Sequence, residues 1–161
     1  MKKIRAGLIA LFLLYQGHAA ATQSLDAVDI VSGKPVHLQQ YKKQTVLLAF
    51  FSAGCDACVY NFKLIREFYK ANKKSHFAVI GIGLDKKPDH FKNYAQLVNA
   101  TTPKDEQFPL VWRNSPQHKD SFGEIKLDPS LVVIDKHGNI TLKREGVIQD
   151  NDWDEIWASL Q

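Results

Sequence analysis

The stretch Thr45-Val46-Leu47-Leu48-Ala49-Phe50-Phe51-Ser52-Ala53-Gly54-Cys55-Asp56-Ala57-Cys58 runs from an uncharged apolar segment into two closely spaced cysteines. A continuous apolar run with β-branched and aromatic ends suits a strand buried on both faces. Ser52-Ala53-Gly54 breaks it. Beyond the first cysteine, Val59, Phe62, Ile65 and Tyr69 recur at helical steps, and Lys63, Arg66, Lys70 and Lys73 turn outward. This pattern predicts a helix opening at Cys55, where unpaired N–H groups and the helix dipole favour a thiolate. Cys58 lies one turn further on the same side, at a spacing compatible with an S–S bond. The roles that follow are an exposed Cys55 that attacks or is attacked, and a more buried Cys58 that resolves the mixed disulfide.

Cys55 and Cys58 are the only 2 cysteines among 161 residues. A structural disulfide gains most by closing a long loop of the unfolded chain, and this pair closes a very short one. Redox chemistry is therefore the better reason for the pair. The chain also opens with an export pattern: basic Met1 to Arg5, apolar Ala6 to Tyr15, then small residues from Gln16 to Ala21. The expectation is a signal peptide over 1–21, cut after Ala21 (Ala19 also satisfies the small-residue rule), and a mature part over 22–161. Retention as an anchor is the competing reading, but the apolar run is shorter than the about 20 residues that cross a bilayer.

Lys plus Arg number 21 against 17 acids, and Lys2, Lys3 and Arg5 leave with the signal. The mature part is thus almost neutral and lacks the basic field that nucleic-acid binding requires.

Val28–Ile30 and Val36–Leu38 flank Ser32-Gly33-Lys34-Pro35 as a short hairpin. Phe77 to Leu84 reads as a second buried strand, and Phe91, Tyr94, Ala95 and Val98 as a helix after Pro88. Phe108 to Trp112 reads as a short strand, and Ser115 to Ser121 as a loop or short helix. Leu131–Ile134 and Ile140–Lys143 bracket a turn-rich connection. A closing helix carries Trp153, Ile156, Trp157 and Leu160 on one face, with Asp150 to Asp152 as caps. The two tryptophans read as core, and lysines 70, 73, 74, 86 and 87 as a solvated face. The sum is one α/β domain with a mixed sheet.

The strand running into Cys55-Asp56-Ala57-Cys58, the strand Val79 to Asp85 and the segment Asp128-Pro129-Ser130 through Asn139-Ile140 together resemble the exported TlpA/ResA type of thioredoxin-like thiol–disulfide oxidoreductase. The likeness spans roughly Leu25 to Leu160. It implies a thioredoxin-like α/β fold: a central mixed sheet flanked by helices, with a short N-terminal β-hairpin extension. It also implies that Cys55 and Cys58 are catalytic, that Pro129 is a cis-proline facing them, and that Asp128 offers backbone groups to a bound substrate segment. No cofactor and no metal is expected. The implied partners are client proteins with cysteine pairs, apocytochrome c or another exported protein, and an upstream, membrane-bound thiol electron donor. The implied location is the periplasm.

Three positions depart from the family pattern: Gly54 where a Trp is common, Ala49 where a buried acid is common, and Lys63 where a Pro is common. The missing acid leaves the proton of Cys58 without its usual acceptor, and Asp128 is the candidate replacement. Asp56 and Asp128 both oppose a nearby thiolate, which predicts a reductant rather than a strong oxidant. The competing class is a copper(I) carrier that uses the same two thiolates. The histidines show no ligand spacing. A thioredoxin fold kept for protein contact, with an inert disulfide, is a third reading. A peroxidase is disfavoured, since no cysteine lies outside the pair and Ser52 stands where Thr-x-x-Cys would need Thr.

Overall fold

The computed structural model describes residues 23–161. The expected signal peptide over 1–21 lies outside the described residues. Strands β1 (Leu25–Val28) and β2 (Pro35–His37) form the N-terminal hairpin. Then follow β3 (Thr45–Phe51), α1 (Asp56–Asn72), β4 (Phe77–Gly83), α2 (Pro88–Thr101) and β5 (Leu110–Trp112). The chain continues through β6 (Lys119–Asp120), β7 (Ser130–Ile134), β8 (Ile140–Glu145) and α3 (Asp150–Ala158). The region 115–121, expected as a loop or short helix, holds the two-residue strand β6, which pairs with β1.

The central sheet has the order β5-β4-β3-β7-β8, with β3, β4 and β5 mutually parallel, β7 antiparallel to β3 and β8 antiparallel to β7. Every residue of β3 and β4 is buried, as their unbroken apolar sequences require. Alternate residues serve two cores. Leu47, Ala49 and Phe51 meet Phe62 and Ile65 of α1, Phe91 and Ala95 of α2, and Ile156 of α3. Val46, Leu48 and Phe50 meet Leu25, Ala27 and Val36 of the hairpin, with Phe122. The mixed sheet and hairpin extension are as the sequence implied, but all three helices lie on one face. The crossovers β3–α1–β4 and β4–α2–β5 step the same way along the sheet, and a common right hand puts both helices on the same side. The hairpin sheet β2-β1-β6 covers the other side.

Two buried contacts fix the layers. A Cβ on Gly83 would fall 2.4 Å from the Phe91 ring, so only glycine lets α2 lie this close to β4. The Asp29 carboxylate accepts the N–H groups of Ser32 and Leu110 at 2.7 and 2.8 Å, tying the hairpin turn to the edge strand β5.

The buried stripe of α1 begins at Cys58 and continues through Phe62 and Ile65, so Val59, expected on the inner face, is 73% exposed. Successive residues are turned by about 100° around a helix, which carries Val59 off that stripe. In α3 the buried face is Asp152 and Ile156, and Trp157, expected in the core, is half-exposed and meets Phe68 edge-on. Gln149 occupies the N-cap, and the Asp152 carboxylate accepts its N–H at 2.7 Å while pairing with Arg144. Two of the lysines read as a solvated face are anchored: Lys70 pairs with Glu106, and Lys73 with Asp105.

Candidate active site

The end of β3, the start of α1 and the entry to β7 converge on one end of the central sheet. Cys55 is the N-cap of α1, and the Cys58 N–H is shared between the Cys55 carbonyl oxygen at 3.0 Å and Cys55 Sγ at 3.2 Å. The two sulfurs are bonded. Cys55 is partly exposed, whereas Cys58 is 4% exposed and belongs to the core that includes Phe62 and Ile65. The asymmetry expected from the sequence is thus present, because the sulfur that starts the buried stripe of α1 is the second one.

Asp128 arrives through strand register. Phe50 pairs with Ser130 in the antiparallel β3–β7 ladder, which brings the residue two before Ser130 opposite Ser52. Asp128 Oδ1 accepts the Ser52 N–H at 3.1 Å and lies 3.1 Å from Cys58 Sγ. Asp128 is exposed and Pro129 is buried, and the bond between them is cis, as the resemblance implied. Gly146 N–H donates to the Pro129 carbonyl at 2.8 Å, holding the turn against β8. Ala49, where the family pattern has an acid, is sealed in the core at 1% exposure. The carboxylate near the sulfurs therefore comes from the β7 side of the cleft.

Asp85 is a second carboxylate of the site that the sequence reading did not single out. Its Oδ2 accepts the Ala53 N–H at 3.0 Å, and its carbonyl oxygen accepts Trp112 Nε1 at 2.7 Å and Asn114 Nδ2 at 2.8 Å. The parallel register Phe51↔Gly83 is the signal that could have found it, since it sets residues after β4 beside those after β3. Asp85 and Asp128 between them hold two successive N–H groups, Ala53 and Ser52, of the loop that presents Cys55.

Ligand atoms of Cys55, Cys58 and Asp128 lie within 4.8 Å of one another. Asn61 lies three residues beyond Cys58 on α1. It is 1% exposed, and among the described residues neither its Nδ2 nor its Oδ1 has a hydrogen-bond partner.

Residues 17–143 match the model of the AhpC/TSA family. The chain belongs to that family. It is 24% identical over 143 residues to the thiol-disulfide oxidoreductase ResA of Bacillus cereus, covering 84% of this chain and 79% of the relative. The ResA of Bacillus thuringiensis matches to the same extent. Among solved structures, a thiol:disulfide interchange protein of the thioredoxin family from Chlorobium tepidum superposes with TM-score 0.68 at 21% identity, over 87% of this chain and 95% of that one. A secreted disulfide oxidoreductase of Mycobacterium tuberculosis, homologous to the DsbE of E. coli, gives 0.60 at 14% identity, over 83% and 94%. The fold is thioredoxin-like, and the chain is placed among the thiol–disulfide oxidoreductases of that fold.

Proposed function

We propose that the chain is an exported thiol–disulfide oxidoreductase that reduces cysteine pairs on protein clients through Cys55 and Cys58. The observation that carries this reading is a bonded cysteine pair at the N-terminus of α1, with one sulfur partly exposed and the other in the core. In the reduced protein the Cys55 thiolate attacks a client disulfide, forming a mixed disulfide and releasing one client thiolate. The Cys58 thiol then gives its proton to Asp128, 3.1 Å away and within reach for general-base transfer. Cys58 attacks Cys55 Sγ, the internal disulfide re-forms, and the second client sulfur leaves as a thiolate. Two electrons pass to the client, and an upstream thiol donor, membrane-bound in this reading, restores the dithiol.

Direction follows from charge. Asp56 adjoins Cys55, and Asp128 faces Cys58 at 3.1 Å. Both carboxylates oppose a thiolate, so the dithiol form is less favoured and the reduction potential is lower. Export is supported by the basic-apolar-small pattern of the N-terminus. Among the described residues no helix is long and apolar enough to cross a membrane. Clients dock against an apolar rim: Val59 and Tyr60 just after Cys58 are exposed, as is Leu127 just before Asp128. Apocytochrome c is a candidate client on family likeness.

Trapping tests the reading. Cys58→Ser should accumulate a mixed disulfide with a protein disulfide substrate through Cys55, and Cys55→Ser should accumulate none. Equal trapping by both variants, or exchange by neither variant nor the intact protein, would contradict it.

A further inference from the structure

We infer that the reduced site is also a zinc site, in which Cys55 Sγ, Cys58 Sγ and a carboxylate oxygen of Asp128 bind one Zn²⁺ and withdraw the dithiol from exchange. The inference rests on the same dithiol as the proposed function and adds a regulator to it. Its geometric basis is the grouping of these three side chains, with all ligand atoms within 4.8 Å. Asp128 Oδ1 already stands 3.1 Å from Cys58 Sγ, close to the separation of two atoms that share a tetrahedral metal.

Donor chemistry selects the ion. Two thiolates alone would suit copper(I), a soft ion that favours sulfur. The third group here is a hard carboxylate oxygen, and Zn²⁺ accepts sulfur and oxygen together in four-coordinate sites. Three protein ligands leave the fourth position to water, and Cys55 and Asp128 are accessible enough for the ion to enter. Binding is not a redox step. Two thiol protons leave to solvent, two Zn–S bonds and one Zn–O bond form, and reoxidation to the disulfide expels the ion. Zinc therefore occupies only the reduced form and competes with the client for Cys55.

The test uses the reduced protein without oxygen, titrated with Zn²⁺ against a chromophoric chelator, and with Co²⁺ as a spectroscopic stand-in. One ion per chain is expected, with the visible bands of four-coordinate cobalt and thiolate charge transfer, and slower disulfide exchange when zinc is present. Asp128→Asn should lower the affinity by about tenfold or more, and Cys58→Ser should lose binding. Zinc held equally well by Asp128→Asn would overturn the three-ligand site. So would a protein that exchanges disulfides normally but binds no zinc, a result that leaves the proposed function standing. A protein that binds zinc in this way yet exchanges no disulfide would instead contradict the oxidoreductase reading alone.

Discussion

Asp128 Oδ1 lies 3.1 Å from Cys58 Sγ, the more buried of the two sulfurs, and is fixed there by the Ser52 N–H at 3.1 Å. Ala49, two residues before the end of β3 and buried, stands where the family pattern has an acid. A carboxylate on the accessible side of the disulfide changes what the site can do, because it can exchange protons with solvent directly while staying within reach of Cys58.

The proton-transfer role predicts that Asp128→Asn keeps the fold and the Ser52 contact but slows exchange at neutral pH. General-base assistance is commonly worth about 10²–10⁴ in rate, and loss of even the lower part of that range is measurable. The rate–pH profile should also move. Stopped-flow exchange from pH 5 to 9 reads both, and an unchanged profile would remove Asp128 from the mechanism.

Asn61 interrupts the buried stripe of α1 beside Cys58 with two unpartnered polar atoms. A buried polar group without a hydrogen bond costs about 1–3 kcal/mol. Asn61→Leu, which keeps the branched shape and removes the polar atoms, should therefore raise the urea midpoint without changing the slope. A lower midpoint would show that the amide has a partner in solution.

Close packing of α2 on β4 gives the opposite prediction. Gly83→Ala would place a methyl group 2.4 Å from the Phe91 ring. Overpacking of this kind costs about 1–3 kcal/mol, read as a lower urea midpoint. A midpoint equal to that of the unaltered chain would mean that α2 can shift at no cost.

Acid sensitivity follows from Asp120 and Asp152. Burial pushes the Asp120 carboxyl up, but His118, Arg113 and the Phe122 N–H outweigh it and hold it well below the usual range. For Asp152, burial is likewise outweighed by Arg144 and the Gln149 N–H. A depressed folded-state value contributes stability that is complete above the unfolded carboxylate range, about pH 4, and is lost as the pH falls further. Asp120→Asn should thus be less stable at pH 7 and lose less on acidification. Parallel Tm–pH curves for the two proteins would contradict this.

The chemistry-bearing end of the fold was legible because its signals are local. An apolar run, a break and two cysteines at helical spacing define strand, loop and N-cap without tertiary information. What the sequence did not show depends on register or on the exact rotation of a helix. Asp85 reaches Ala53 only because β3 and β4 pair in parallel with Phe51 opposite Gly83. Phe62 and Ile65 face inward as their spacing predicts, but Val59 does not, because the buried stripe of α1 opens at Cys58. Trp157 fits the apolar spacing of α3, but Asp152, paired with Arg144, and Ile156 take the inward face instead. The scattered histidines carry no signal of a role in the sequence, and His118 is a buried partner of Asp120.

The reduction potential of the Cys55–Cys58 pair, measured by equilibrating the protein with defined thiol–disulfide buffers, decides whether the pair reduces or oxidises its clients. A client reductant with two carboxylates opposing its thiolates should lie near or below the thioredoxin value of about −270 mV. A value of about −120 mV would make the pair a strong oxidant and contradict the reductant role.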